Sequence, residues 1–201
     1  MKAIEELLRN AGIQPVAGVD EAGRGPCAGP LVVSAVVLAD PSIPELSAIR
    51  DSKEVPEKER DALFDLIHEV ALSISIVEIS VAEIDERGVH AANLAGMRRA
   101  VQGLSISPAY VLTDGYAIEG LGLPNLAVWK GDQVVTAISA ASIIAKVTRD
   151  RAMVELDRKY PHYGFAQHKG YITAAHTKAL AEHGPCAEHR TSFANIAALL
   201  A

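Results

Sequence analysis

The chain has 201 residues, enough for one substantial domain with a proper core, and its 49% hydrophobic and 22% charged residues are ordinary for a soluble globular protein. Its longest apolar run, Leu31–Ala39, is too short to span a bilayer, and Glu5 and Glu6 in an amphipathic N-terminal pattern are unlike a secretory signal. The net charge of −6 argues mildly against a nucleic-acid partner.

In chain order, an amphipathic helix over the first nine residues leads to a strand at Val16–Asp20. A Gly/Pro-rich link, Gly23–Pro30, joins it to a β-branched strand, Leu31–Leu38. Pro56 suits a helix start, and Arg60–Leu72 places Leu63, Ile67, Val70 and Ala71 on one face. Ser73–Ser80 alternates at period two and reads as a half-buried strand; Ala91–Leu104 is helical. Tyr110–Thr113 is a strand running into Asp114-Gly115, and Leu126–Trp129 another running into Lys130-Gly131-Asp132. A long helix spans about Ser139–Lys159, stopped by Pro161, and further helices cover Ala174–Glu182 and the last residues. This order predicts a mixed five-stranded sheet, antiparallel at its start and parallel in continuation, covered by helices.

Charge is uneven along the chain. Residues 1–129 hold 10 Lys/Arg against 19 Asp/Glu, whereas residues 130–201 hold 9 against 6, with five of the seven histidines. An acidic site beside a basic third suits a metal-dependent enzyme acting on a polyanion, and chance asymmetry explains it equally well. Cys27 and Cys186 lack metal-ligand spacing, and reduced thiols in a cytoplasmic protein are the expectation.

The adjacent carboxylates Asp20 and Glu21 raise each other's pKa unless a cation or basic side chain intervenes. With Asp114 and Asp132 they make an oxygen-only set at strand ends, where α/β sheets carry their sites, and such donors select Mg²⁺ or Mn²⁺. Taken singly, Asp114-Gly115 and Gly131-Asp132 read more readily as plain turns, and it is beside the Asp20-Glu21 pair that the site reading prevails. The glycines from Gly23 to Gly29 miss the dinucleotide fingerprint in spacing, and a strand follows them rather than a helix. Ser139, Ser142 and Lys146 share one helix face that suits phosphate, or Ser139 is a helix cap. Asp51-Ser52-Lys53 sits in a polar loop. Tyr160–Tyr171 mixes aromatics with His and Lys, which suits either a nucleic-acid surface or a packed cluster beneath a loop.

Together, Asp20-Glu21-Ala22-Gly23-Arg24-Gly25-Pro26, Asp51-Ser52-Lys53, Thr113-Asp114-Gly115, Lys130-Gly131-Asp132, Ile138–Asp150 and Tyr163-Gly164-Phe165 through His168-Lys169-Gly170-Tyr171 resemble bacterial ribonuclease HII, in family order. The resemblance implies a ribonuclease H-like fold, with a catalytic domain over residues 1–160 and a helical C-terminal extension over residues 161–201 that contacts substrate. It implies cleavage of RNA–DNA hybrids and incision 5′ of single ribonucleotides in duplex DNA, leaving 3′-hydroxyl and 5′-phosphate ends. Asp20, Glu21, Asp114 and Asp132 would hold two Mn²⁺ or Mg²⁺ ions. Gly23, Arg24 and Gly25 would grip the ribonucleotide, Tyr163 would pack on the neighbouring deoxyribose, and Lys53, Ser139 and Lys146 would touch phosphates.

A sliding clamp or repair protein is a further partner class, and nothing demands more than a monomer. Arg24 and the short lead before the first strand favour this type over ribonuclease HIII. Gly88, where many relatives carry Asn, and Glu54-Val55 after the Asp-Ser-Lys motif depart from the family pattern. A sugar-kinase-type nucleotide domain would need a second domain, and a silent binding module gains nothing from four acids facing phosphates.

Overall fold

A computed structural model describes residues 3–47 and 55–200. The elements in order are α1 (Ala3–Asn10), β1 (Val16–Ala22), β2 (Leu31–Leu38), α2 (Pro44–Ser47), α3 (Glu57–Val70), β3 (Ala71–Ile79), α4 (Val81–Arg87) and α5 (Val89–Gln102). There follow β4 (Tyr110–Asp114), β5 (Asn125–Val128), α6 (Gly131–Val134), α7 (Thr136–Lys159), α8 (Phe165–His168), α9 (Ala174–His183) and α10 (Ala194–Leu200). The strands form one sheet in the order β3-β2-β1-β4-β5. β1 pairs antiparallel with β2 and parallel with β4; β3 is antiparallel to β2, and β5 parallel to β4. The mixed sheet expected from the sequence is the one observed.

Both faces of β2 are covered, which is why its eight residues are all buried and nearly all apolar. On one face Val36, Leu38 and Leu112 pack under α7 with Leu63 and Ile67 of α3. On the other, Val19, Val33 and Val111 meet Ala92, Met97 and Val101 of α5. α7 crosses β1 so closely that a Cβ at Gly18 would run into the Ala137 carbonyl. Only glycine allows that approach.

α7 begins at Thr136, three residues before the expected Ser139, because its cap is not local. The buried Glu5 of α1 accepts the N–H groups of Thr136 (2.7 Å) and Ala137 (2.9 Å) through its two carboxylate oxygens. Ser139 lies inside the first turn instead, fully buried, its hydroxyl donating to the Asp132 and Val135 carbonyls.

The C-terminal helices pack through a third core that joins Cys27, Ala28 and Met153 to Tyr163, Phe165, Leu180 and Ile196. Cys27 and Cys186 carry free thiols. A polar chain runs through this core. The Cys186 N–H donates to His189 Nδ1 (2.9 Å), His189 Nε2 meets His176 Nε2 (3.0 Å), and His176 Nδ1 meets the Tyr171 carbonyl (2.9 Å). One neutral tautomer on each ring satisfies every link. Burial, then the facing His176, pushes His189 down to about 4, so the chain is uncharged at neutral pH.

Candidate active site

The sheet's parallel half positions the acids. β1 and β4 align Val19 with Thr113, so the next residues, Asp20 and Asp114, stand side by side at the strand ends. β1 continues through Asp20 and Glu21 to Ala22, because both acids stay paired with β2 opposite Ser34 and Val33. Successive strand residues point to opposite faces. Asp20 turns to α7, where the Ser142 hydroxyl approaches it, and Glu21 turns to α5, where Asn93 stands beside it. Asp132 is not at a strand end: β5 stops at Val128, left-handed Lys130 (φ 51°) turns the chain, and Asp132 rides on α6. The Gly131 N–H donates to Asp114 Oδ1 at 2.6 Å and ties that turn to β4.

All four acids line one cleft of roughly 220 Å³, together with Gly23, Arg24, Gly25, Ser142, Lys146 and Tyr171. Burial, then the charges of Glu21 and Asp114, holds the Asp20 carboxyl well above its ordinary range. Burial likewise raises Glu21, against the opposing pull of Arg24, whose Nη1 reaches Glu21 Oε1 at 3.5 Å. Glu21 Oε2 is buried with no hydrogen-bond partner among the described residues. An orphaned carboxylate oxygen, crowded acids and oxygen-only donors fit a hard divalent cation. Among the described residues no three acidic, His or Cys groups form a ready-made cage. Mg²⁺ is usually held by one or two carboxylates and completed by water and substrate phosphate.

Two buried arginines, unforeseen from the sequence, shape the rim. Arg190 Nη2 donates to the Gly23 (2.7 Å) and Gly29 (2.9 Å) carbonyls, and Nη1 to the Arg24 carbonyl (3.1 Å). Arg149 donates to the carbonyls of Pro30 (3.0 Å), Ala28 (3.2 Å) and Lys169 (3.0 Å). Gly23 (φ 102°) lies so close to Arg149 Nε that a Cβ there would collide with it. The loop Gly23–Pro30 is thus held by buried guanidinium groups, with Gly23 and Gly25 lining the cleft.

Two expected substrate contacts move. Tyr163 is buried, stacked on Phe165 with ring centroids 5.3 Å apart, and its hydroxyl donates to the Gly184 carbonyl at 2.7 Å. It does not line the cleft; Tyr171 does, 47% exposed, with its ring against Gly25. Ser139 is buried beneath the Asp132 turn, and Ser142 is the hydroxyl on the cleft wall. Lys53 lies outside the described residues. Lys146 does line the cleft, paired with Asp150 at 2.6 Å, while burial lowers its ammonium pKa.

An acidic cleft at the adjoining ends of two parallel strands, in a mixed sheet of this order, defines a nuclease of the ribonuclease H class. The family model described as ribonuclease HII matches residues 17–196. A ribonuclease HII of Mycolicibacterium smegmatis is 55% identical over 98% of this chain and 72% of its own length. Among solved structures, the ribonuclease H2 of Pyrococcus horikoshii OT3 aligns with a TM-score of 0.79 and 28% identity over 92% of this chain and 97% of that one. The Archaeoglobus fulgidus ribonuclease HII, solved with PCNA, aligns with a TM-score of 0.77 and 26% identity over 90% and 95%. The chain belongs to the ribonuclease HII family and is a ribonuclease H hydrolase. Among the described residues no helix is long and apolar enough to cross a membrane.

Proposed function

We propose that this protein cleaves the RNA strand of RNA–DNA hybrids and incises duplex DNA on the 5′ side of a single ribonucleotide, leaving 3′-hydroxyl and 5′-phosphate ends. The observation that carries this reading is the meeting of Asp20, Glu21, Asp114 and Asp132 with bare glycine backbone and the Tyr171 ring in one cleft. Asp20, Glu21, Asp114 and Asp132 would hold two Mg²⁺ or Mn²⁺ ions, whose chemistry there would be to activate a water and offset charge on the departing 3′-oxygen.

The chain's own groups select the substrate. A lone ribonucleotide differs from its neighbours by one 2′-hydroxyl, and only backbone without side chains comes near enough to read it. Gly23 and Gly25 supply that backbone, and Arg190 keeps their loop from collapsing into the cleft. Arg24, with its guanidinium 4.5 Å from the Tyr116 ring centre and against Glu21, fixes the other side of the loop. Tyr171 packs on the neighbouring sugar, and Lys146 and Ser142 face the phosphates. The acting form in this reading is a cytoplasmic monomer. The PCNA complex of the Archaeoglobus relative supports a sliding clamp as partner.

The test is a labelled duplex carrying one ribonucleotide, incubated with Mg²⁺, Mn²⁺ or EDTA. A single cut 5′ of the ribonucleotide, absent with EDTA, is expected; a cut elsewhere, or in all-DNA duplex, contradicts the reading. Tyr171→Ala is expected to lower kcat/KM at the junction about 5- to 150-fold, the worth of roughly 1–3 kcal/mol of stacking, with little change in melting temperature. Tyr163→Ala is expected to do the reverse, lowering the melting temperature first. Melting curves beside junction rates separate the two.

A further inference from the structure

Asn93 stands in the middle of α5 with none of its side chain exposed, among Ala92, Gly96, Met97 and Ala100. Neither its Nδ2 nor its Oδ1 has a hydrogen-bond partner among the described residues. An unpaired buried amide destabilises a fold, and an apolar residue would serve the α5 core better. The amide faces Glu21 across the α5–β1 contact, where Oε2 is likewise buried without a partner, as is Nε of the adjoining Arg24. Gly96, one turn along α5 from Asn93, sits against Val33, and Val33 is paired with Glu21 across β1 and β2. Two unpaired groups thus stand against each other at the edge of the cleft, Arg24 having taken Oε1.

We propose that Asn93 is a positioning residue for the reaction: its Nδ2 donates to the Glu21 carboxylate and fixes the direction in which Glu21 offers an oxygen to a divalent cation. This rests on the reading of the cleft given above. A neutral donor suits the task. It orients the carboxylate without cancelling the charge that holds the ion, whereas a second cation beside Arg24 would compete with the metal. The unmatched amide is then a cost to the metal-free fold that is recovered when Glu21 turns to its ligand.

The experiment compares wild type with Asn93→Leu, which copies the branching of the amide without its polarity, with Asn93→Ala, which removes any risk of overpacking, and with Asn93→Ser, which keeps a donor. Melting temperature is followed without metal and across a Mn²⁺ titration, and kcat and KM are measured on the single-ribonucleotide duplex. In the Leu and Ala variants the Mn²⁺ concentration for half the thermal shift should rise about 10- to 100-fold, as when a group that orients a metal ligand is lost. Their metal-free melting should be at or above that of wild type in at least one of the two. kcat at fixed Mn²⁺ should fall more than KM rises, and Asn93→Ser should recover part of both effects. Wild-type Mn²⁺ dependence in the Leu and Ala variants overturns the proposal. So does loss of folding in both, which makes Asn93 structural. If wild type itself shows neither Mn²⁺ binding nor incision, the reading of the cleft fails and this proposal with it.

Discussion

Asp20→Asn is expected to abolish cleavage and, in the same protein, to raise the melting temperature without metal at neutral pH. Asp20 is 6% exposed, and burial and the neighbouring Glu21 and Asp114 charges all disfavour its ionised form. The amide keeps the acceptor that Asp20 Oδ1 offers to the Glu21 N–H at 2.7 Å, so the turn survives. What it removes is one buried negative charge, the group a cation needs. Activity should fall by at least about 10²–10³-fold, the scale for losing one electrostatic contact to developing charge. Paired melting and incision measurements check this. A variant that melts below wild type, or cuts at its rate, contradicts the role given to Asp20.

Arg190→Ala is the second large effect, and it falls on stability. Its guanidinium is fully buried and satisfies the carbonyls of Gly23, Arg24 and Gly29, none of which has another described donor of this kind. Orphaning three carbonyls at about 1–3 kcal/mol each predicts a loss of at least about 3 kcal/mol. Arg190→Lys keeps the charge but not the planar fork, so it should recover only part of the loss. Burial and the adjacent Arg149 push the Arg190 pKa down, yet three carbonyl acceptors favour the charged form, and it is the charged fork that the loop needs. Urea unfolding of the three proteins measures the effect. An Arg190→Ala protein within 1 kcal/mol of wild type would mean that the loop is held by other contacts.

The strands were legible because their cause is local: β2 is a β-branched run buried on both faces, and its bounds are as read. β1 runs on to Ala22, past the expected end at Asp20, since two acids look like a strand breaker until their pairing with Ser34 and Val33 is known. The start of α7 was misplaced for the opposite reason. Its cap comes from Glu5, 131 residues away from Thr136, while the nearby Ser139 offers a false local signal. Ser80 and Glu83 carry a capping pattern, with the Glu83 N–H donating to the Ser80 hydroxyl, that could have placed α4.

The site was legible as a set of acids and a glycine turn, because these residue types are costly anywhere else. Which tyrosine faces the cleft was not. Tyr163 and Tyr171 lie in one aromatic stretch, and only packing on Phe165 against exposure beside Gly25 separates them. Arg149 and Arg190 escaped notice because a buried cation reads locally as a surface one. Asn93 escaped because a lone Asn in an apolar helix carries no pattern.

The most direct measurement is the melting temperature of wild type with and without Mn²⁺ as a function of pH. Asp20 and Glu21 are acids whose folded pKa values lie above the free values of 3.8 and 4.5, so their share of metal-free stability falls as pH rises from each free value through the raised folded one. Bound ions require the carboxylates deprotonated. The gain from Mn²⁺ should therefore be small at acid pH, grow toward neutrality, and vanish in Asp20→Asn. A gain that ignores pH, or persists undiminished without the Asp20 carboxylate, would place the cation elsewhere.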